Sequence, residues 1–262
     1  MRETLAASAG NFLARQASRL GNAAELVAGR SPERILRLGF AIVRTDGKAV
    51  FSAAQVGKGD TLDIEVADGR TSPFTVKPHC LYLPRRTAYT LEATTDVEFA
   101  YNGSPATRDT ARPTLIKPAD TRHIELGKDN WTRTSEIILD ETFDSEHFYI
   151  GEGMIPSGNW SGYPSHRHDV NNPPAELDME ETYFYLFDPV QGFGFQSIYT
   201  PDGALNEAYR VQDHDTVAIA EGYHPLVGAP GYQMYYLWTM AGSQGRGLIS
   251  SMDPAHAWVK QA

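Results

Sequence analysis

The chain is poor in cysteine and in positive charge, and each shortage excludes a class of protein. Cys80 is the only cysteine among 262 residues, so no disulfide can form within the chain and a cysteine-based zinc site is excluded. A single thiol is typical of a reducing compartment and predicts a cytoplasmic location. Lys and Arg number 23 against 33 Asp and Glu, a net charge of −10. This balance argues against nucleic acid as a partner, because phosphate binding needs a basic surface.

Long apolar runs are missing as well. No segment approaches the roughly 20 apolar residues of a membrane helix, and no hydrophobic signal segment is recognisable, so no membrane partner is expected. Instead, 23 Gly and 16 Pro separate many short runs rich in Val, Ile, Tyr, Phe and Thr. This punctuation predicts an all-β chain.

The strand pattern divides the chain into three regions. Residues 1–38 carry leucines among alanines and predict a short helical extension. Residues 39–121 predict a β-domain of the jelly-roll type without a metal, and residues 122–262 a second β-domain. In the second domain, E-T-Y-F-Y-L-F and F-G-F-Q-S-I-Y-T flank a D-P-V-Q-G turn, which predicts a hairpin.

Two histidines in the second domain stand at strand spacing. In an extended segment residues i and i+2 point to the same face, so His166 and His168 can offer two imidazoles to one point while Arg167 points away. Glu181, at the head of a following strand, and His224, in A-E-G-Y-H-P, are the best candidates to complete the set. Three imidazoles and one carboxylate suit Zn, Mn, Fe, Co or Ni.

With these residues in hand, the chain resembles the cupin superfamily, in which two motifs supply three His and one Glu to a metal inside a small barrel. More narrowly, it resembles the 5-deoxy-glucuronate isomerases of inositol catabolism, which are two-cupin chains. The segments that carry the resemblance are G-N-W-S-G-Y-P-S-H-R-H-D, E-E-T-Y-F-Y-L-F-D-P-V-Q-G, E-G-Y-H-P-L-V-G-A-P-G-Y-Q-M-Y-Y-L-W-T-M-A-G and D-P-A-H-A-W-V. The expected fold is therefore a tandem of cupin jelly-roll barrels after the helical extension.

The resemblance also implies a function. It assigns His166, His168, Glu181 and His224 as ligands of one divalent ion (Zn, Mn or Fe), with Glu180 as the rival of Glu181. It implies an aldose–ketose isomerase that converts the sugar acid 5-deoxy-glucuronate to 5-dehydro-2-deoxy-gluconate. An Fe(II) cupin dioxygenase, which uses nearly the same ligands, and a non-catalytic sugar-binding cupin are the alternatives. Exposed β-edges are compatible with a homo-oligomer.

An isomerase also needs a base that carries a proton between adjacent carbons. Nearness in sequence to the metal motifs gives four candidates, Glu180, Asp169, His214 and Tyr223. Asp169 has the alternative role of orienting a ligand imidazole, and His214 that of a turn residue.

A uronate substrate also needs a cation for its carboxylate. Arg133 and Arg167 are the nearest arginines, and Arg167 is disfavoured because it alternates with the ligand histidines. The side chains that can line the pocket are Tyr183, Tyr185, Gln196 and Tyr236, although tyrosines on barrel strands are mostly packing residues.

Overall fold

The computed structural model describes residues 40–43, 61–62, 70–89, 97–109 and 111–260. The predicted helical extension, residues 1–38, lies outside these ranges. Within them, no helix is both long and apolar enough to cross a bilayer.

The described chain is almost entirely β-structure, with eighteen strands and three short 3-10 helices. In chain order the strands are β1 (Phe40–Val43), β2 (Thr61–Leu62), β3 (Cys80–Tyr82), β4 (Ala88–Tyr89), β5 (Phe99–Asn102), β6 (Thr114–Ile116), β7 (Arg122–Leu126), β8 (Arg133–Leu139), β9 (Phe148–Ile155), β10 (Trp160–Ser161), β11 (His166–Arg167), β12 (Met179–Asp188), β13 (Phe193–Tyr199), β14 (Asn206–Gln212), β15 (Thr216–Ile219), β16 (Leu226–Gly228), β17 (Gln233–Gly242) and β18 (Ser251–Met252). The 3-10 helices are Pro118–Asp120, Asp129–Trp131 and Ala257–Lys260. The all-β prediction is confirmed.

Contacts divide the chain into two units. The described strands of the smaller unit are β1 and β5, which pair antiparallel. The larger unit holds the other sixteen strands, including the pairs β2 with β4 and β3 with β6. The predicted domain boundaries at residues 38 and 121 stay a prediction.

The larger unit contains two main sheets. One has six strands in the order β15-β12-β17-β9-β8-β7, and the other has four in the order β10-β16-β13-β14. A single apolar cluster joins them, with Tyr183, Tyr185 and Trp238 from the first sheet and Ile198 and Leu226 from the second. The two sheets therefore face each other across one core, as in a jelly-roll barrel.

The predicted hairpin between E-T-Y-F-Y-L-F and F-G-F-Q-S-I-Y-T is wrong. These segments are β12 and β13, and they lie in different sheets. Both edges of β12 are occupied, by β15 on one side and β17 on the other, whereas β13 pairs with β14 and β16. The D-P-V-Q-G segment is thus a corner that carries the chain from one sheet to the other.

The six-stranded sheet is covered on its outer face by residues 70–89. Phe74 packs edge-on against Tyr235 of β17, with ring centroids 6.2 Å apart. Arg70 donates to Glu152 of β9 at 2.7 Å through Nη1, and the Tyr235 hydroxyl donates to the same carboxylate at 2.6 Å. A buried carboxylate is costly without partners, so these bonds anchor this segment on the sheet.

Candidate metal centre

Three histidines converge at one end of the barrel interior. The ligand nitrogens of His166, His168 and His224 all lie within 4.8 Å of one another. The His224 ring centroid is 5.0 Å from that of His166 and 4.9 Å from that of His168. His224 is completely buried and His168 is 5% exposed. The predicted convergence of His-x-His with the later histidine is therefore present.

Glu181 completes this cluster. Its Oε2 atom lies 3.0 Å from His168 Nε2 and 3.3 Å from His224 Nε2. Strand alternation accounts for the choice between the two glutamates, because Glu181 is 4% exposed on the core face of β12 and Glu180 is exposed on the other face.

Backbone carbonyls orient the imidazoles. Nδ1 of His168 donates to the Met179 carbonyl at 2.7 Å, and Nδ1 of His224 donates to the Gly222 carbonyl at 2.8 Å. With Nδ1 committed as the donor, Nε2 keeps its lone pair and faces the cluster. This is the arrangement that a metal-ligating histidine requires.

Burial sets the charge of the three rings. It lowers the pKa of His166 to about 4, with the neighbouring His168 adding to the effect. It also lowers the pKa of His224 well below the usual value, again assisted by the other two histidines. Burial opposes the charged form of His168 too, but the hydrogen bond and charge of Glu181 outweigh it and raise the pKa of His168. Two of the three rings are thus neutral at pH 7 and ready to bind a cation.

A further observation indicates that the cluster fits a divalent metal. His224 Nε2 is buried and makes no hydrogen bond. An unpartnered buried polar atom is costly, and a cation held by the three imidazoles and the carboxylate would satisfy it. Imidazole and carboxylate together are the donor set of Zn, Mn and Fe sites, which leaves the identity of the metal open.

Asp169 connects the two segments that carry the histidines. Its Oδ2 atom accepts a hydrogen bond of 2.6 Å from the Gly222 amide. Glu176, 3% exposed, fixes the start of the intervening loop by accepting from the amides of Asp169 at 3.0 Å and Val170 at 2.9 Å. Arg167 Nη1 lies 3.5 Å from Asp169, away from the imidazoles, as strand alternation predicts.

Gln196, on the strand β13 that neighbours β16, fixes the His224 segment. This fully buried side chain donates through Nε2 to the carbonyls of Ser197 and His224, both at 2.9 Å, and of Pro225 at 3.2 Å. Its Oε1 atom accepts from the Tyr185 hydroxyl at 2.9 Å. The polar groups of Gln196 and Tyr185 thus form hydrogen bonds with other groups of the protein.

Tyr183 and Tyr236 form the wall next to the cluster. Burial raises the pKa of the Tyr183 hydroxyl well above its usual value, and the charge of the nearby Glu181 adds to the effect. The rings of Tyr183 and Tyr236 are 5.0 Å apart, and the Tyr236 hydroxyl is 2.7 Å from Ser161 Oγ. Gly153 of β9 makes room for this wall, because a Cβ there would lie 2.1 Å from the Tyr236 ring.

Arg133 reaches the same space from β8. Its Nη1 atom donates to the carbonyls of Trp131 at 3.2 Å and Tyr163 at 3.4 Å. Burial lowers the pKa of Arg133, and the hydroxyls of Tyr236 and Tyr183 partly oppose this effect.

The structure does not bring three of the four proposed bases to the cluster. His214 packs edge-on against Phe184 at 5.7 Å, and Phe184 points to the opposite face of β12 from Glu181. Tyr223 packs against Tyr199 at 5.2 Å, under the Arg167 guanidinium. Glu180 lies on the exposed face of β12. Asp169 is near, but it holds the Gly222 amide.

Two residues with clear structural roles at this site were absent from the sequence prediction. Glu176 anchors the loop between the His-x-His and Glu181, and Ser161 bonds to Tyr236. Their only sequence signal is proximity to the motif. What they contact depends on how β10 and the loop fold back onto the barrel.

The fold defines a barrel of the cupin type, and its four converging side chains fit a divalent metal. The profile of the KduI/IolB family matches residues 22–259. The chain belongs to the KduI/IolB family.

Curated relatives agree with this membership. The chain is 37% identical over 187 residues to the 5-deoxy-glucuronate isomerase of Geobacillus kaustophilus (strain HTA426), and the aligned region covers 71% of this chain and 67% of the relative. It is 33% identical over 248 residues to that of Listeria innocua serovar 6a, covering 88% and 89% of the two chains. The crystal structure of an IolB-like protein from Salmonella typhimurium LT2 superposes with a TM-score of 0.68 at 32% identity, covering 73% of this chain and 72% of that one. Together these homologues indicate that the protein is an isomerase.

Proposed function

We propose that this protein is a metal-dependent aldose–ketose isomerase that converts 5-deoxy-glucuronate to 5-dehydro-2-deoxy-gluconate in cytoplasmic inositol catabolism. The names of the relatives support the reaction. The observation that carries the metal dependence is the convergence of three histidine nitrogens within 4.8 Å beside Glu181.

The reaction moves hydrogen between two adjacent carbons without net redox change. Negative charge develops on the substrate oxygens when the proton leaves the carbon next to the carbonyl. A divalent ion held by His166, His168, Glu181 and His224 supplies Lewis-acid stabilisation of that charge, worth several kcal/mol.

The protein's own groups have to bind and orient the substrate. We propose that Tyr183 and Tyr236 donate hydrogen bonds to substrate oxygens, because their hydroxyls belong to the wall beside the histidines. Tyr185 and Gln196 instead position the His224 segment through the bonds described above. Asp169 is the one proposed base near the cluster, and its bond to Gly222 supports a positioning role for it.

The test combines metal analysis with an isomerase assay on 5-deoxy-glucuronate under strictly anaerobic conditions. The wild-type protein is expected to contain about one divalent ion per chain and to turn over without oxygen. His166→Ala and His224→Ala are expected to lose the ion and at least 100-fold in kcat/KM, since removal of a ligand opens the site.

His256→Ala is the matched control, because this histidine is 46% exposed in its side chain and 3.9 Å from Asp253. It should keep both metal and rate. Full metal and full rate in both ligand variants would contradict the ligand assignment, and turnover only with oxygen would favour a dioxygenase.

A further inference from the structure

Arg133, a half-buried residue of β8, has no counter-ion among the described residues. Arg133 Nε is buried and has no hydrogen-bond partner, and no carboxylate in the described part of the chain forms an ion pair with Arg133. Its Nη1 atom reaches only two backbone carbonyls. A buried guanidinium without an anion is costly, so this arrangement favours a ligand that supplies one.

Arg167, the other arginine considered for this role, also has a buried Nε without a hydrogen bond, but its charge is paired. It lies 3.5 Å from Asp169 and 3.7 Å from Glu176, so it already has two carboxylate partners. Its guanidinium stands over the Tyr223 ring at 5.6 Å, outside the cluster. Of these two arginines, Arg133 is therefore the one without a carboxylate partner among the described residues.

The surroundings of Arg133 fix its orientation. The guanidinium lies 5.9 Å from the centroid of the Trp131 ring, which in turn packs against Tyr163 at 6.4 Å. Together with its two carbonyl acceptors, these contacts hold the guanidinium toward Tyr183 and Tyr236, whose hydroxyls interact with its charge. A preorganised guanidinium loses little side-chain entropy when it binds a carboxylate.

The local charge favours the same class of ligand. Arg133 places a positive charge beside the cluster, and a divalent cation held by the proposed ligands would add to it. The interior of this barrel end would thus attract anions although the whole chain carries a net charge of −10.

We propose that Arg133, with the Tyr236 hydroxyl beside it, forms a carboxylate subsite that anchors one end of a sugar acid while its other end lies at the four metal ligands. This inference rests on the proposed function, because it assigns the two ends of a uronate to two neighbouring groups of side chains. It excludes neutral sugars as good ligands.

The test measures binding to the metal-loaded full-length protein by titration calorimetry, with D-glucuronate and D-glucose as the probes. Wild type is expected to bind glucuronate at least about 10-fold more tightly than glucose, since a charge-assisted pair is worth about one to two orders of magnitude in affinity. Arg133→Met should lose this preference, and Arg133→Lys should keep part of it.

Arg210→Met is the matched control, because Arg210 is exposed and stacks on Phe193 at 4.6 Å in the other sheet. It should bind like wild type. An unchanged preference in Arg133→Met would overturn the subsite. Should that variant fail to fold, equal affinity of wild type for both sugars would overturn it instead.

Isomerase assays on the same preparations separate the two proposals. A wild-type protein that prefers glucuronate but does not isomerise 5-deoxy-glucuronate would contradict the proposed isomerase activity but not the proposed subsite. An active wild type whose Arg133→Met variant keeps its KM would contradict the proposed subsite but not the proposed isomerase activity.

Discussion

Asp169 accepts a 2.6 Å hydrogen bond from the amide of Gly222, and this bond ties the strand that carries His166 and His168 to the loop that carries His224. The Gly222 carbonyl in turn accepts from Nδ1 of His224 at 2.8 Å. The bond therefore helps to set the distance between ligands that come from remote parts of the sequence.

Asp169→Ala is expected to weaken metal binding by about 10- to 100-fold, because groups that orient ligands contribute on this scale. Competition with a chelator measures the change. Asp202→Ala is the control, since Asp202 accepts from Thr200 and Ala204 within an exposed turn. Equal loss of affinity in both variants would show that Asp169 has no special role.

Gln196→Leu is expected to lower the free energy of unfolding by about 2–4 kcal/mol, because it leaves the buried carbonyl of His224 without its side-chain donor. Tyr185→Phe, which removes only the hydroxyl that donates to Gln196, should cost about 1 kcal/mol. Urea unfolding measures both.

Gln212→Leu, at an exposed position of β14, is the corresponding control and should change stability by less than about 0.5 kcal/mol. A Gln196→Leu protein as stable as this control would contradict the positioning role of the buried amide.

Gly153→Ala is expected to destabilise the barrel by about 3 kcal/mol, since the new Cβ would lie 2.1 Å from Cζ of Tyr236. Displacing this ring also breaks the bond of its hydroxyl to Ser161. Thermal melting and metal content report the two effects. Gly228→Ala, whose Cβ would meet its nearest neighbour at 3.4 Å, should cost less than about 1 kcal/mol.

Replacing Tyr236 with the smaller aliphatic residue leucine tests the same contact in a second way. The double variant Gly153→Ala, Tyr236→Leu should recover part of the stability that Tyr236→Leu and Gly153→Ala lose separately. Strict additivity of the two losses would show that the glycine does not act through this contact.

Cys80 is expected to react slowly with thiol reagents in the folded protein. Burial, with the nearby Glu152 charge, raises the pKa of its thiol to about 12. At pH 8 only about one molecule in ten thousand then carries the thiolate, the reactive form. The rate of reaction with a disulfide reagent should rise about tenfold per pH unit between pH 8 and 10.

In denaturant the same thiol should react at the rate of an ordinary cysteine, whose pKa is about 8.5. A folded protein that shows a plateau in rate near pH 9 would contradict the raised pKa of this thiol.

Much of the metal centre follows from local sequence rules. Alternation along a strand places His166 and His168 together, sends Arg167 the other way and selects Glu181 over Glu180, and the structure has each of these features. These relationships span a few residues, so no knowledge of the tertiary fold is needed to predict them.

The remaining features depend on contacts between distant segments. Nearness in sequence placed His214 among the proposed bases, but it lies across the sheet from Glu181, against Phe184. The partners of Gln196 arise only because β13 pairs with β16, next to the His224 segment. The expected hairpin failed for the same reason, since the neighbours of β12 come from remote strands.

The four proposed ligands lie on three separate segments of the chain. A bound ion would therefore have a structural role as well as a catalytic one. A cation bound there would act as a cross-link between these segments, so it would stabilise the folded state by an amount that rises with the logarithm of its free concentration. The melting temperature of this barrel should then depend on the metal in the buffer, and depletion of the ion would loosen the segments that carry the proposed ligands.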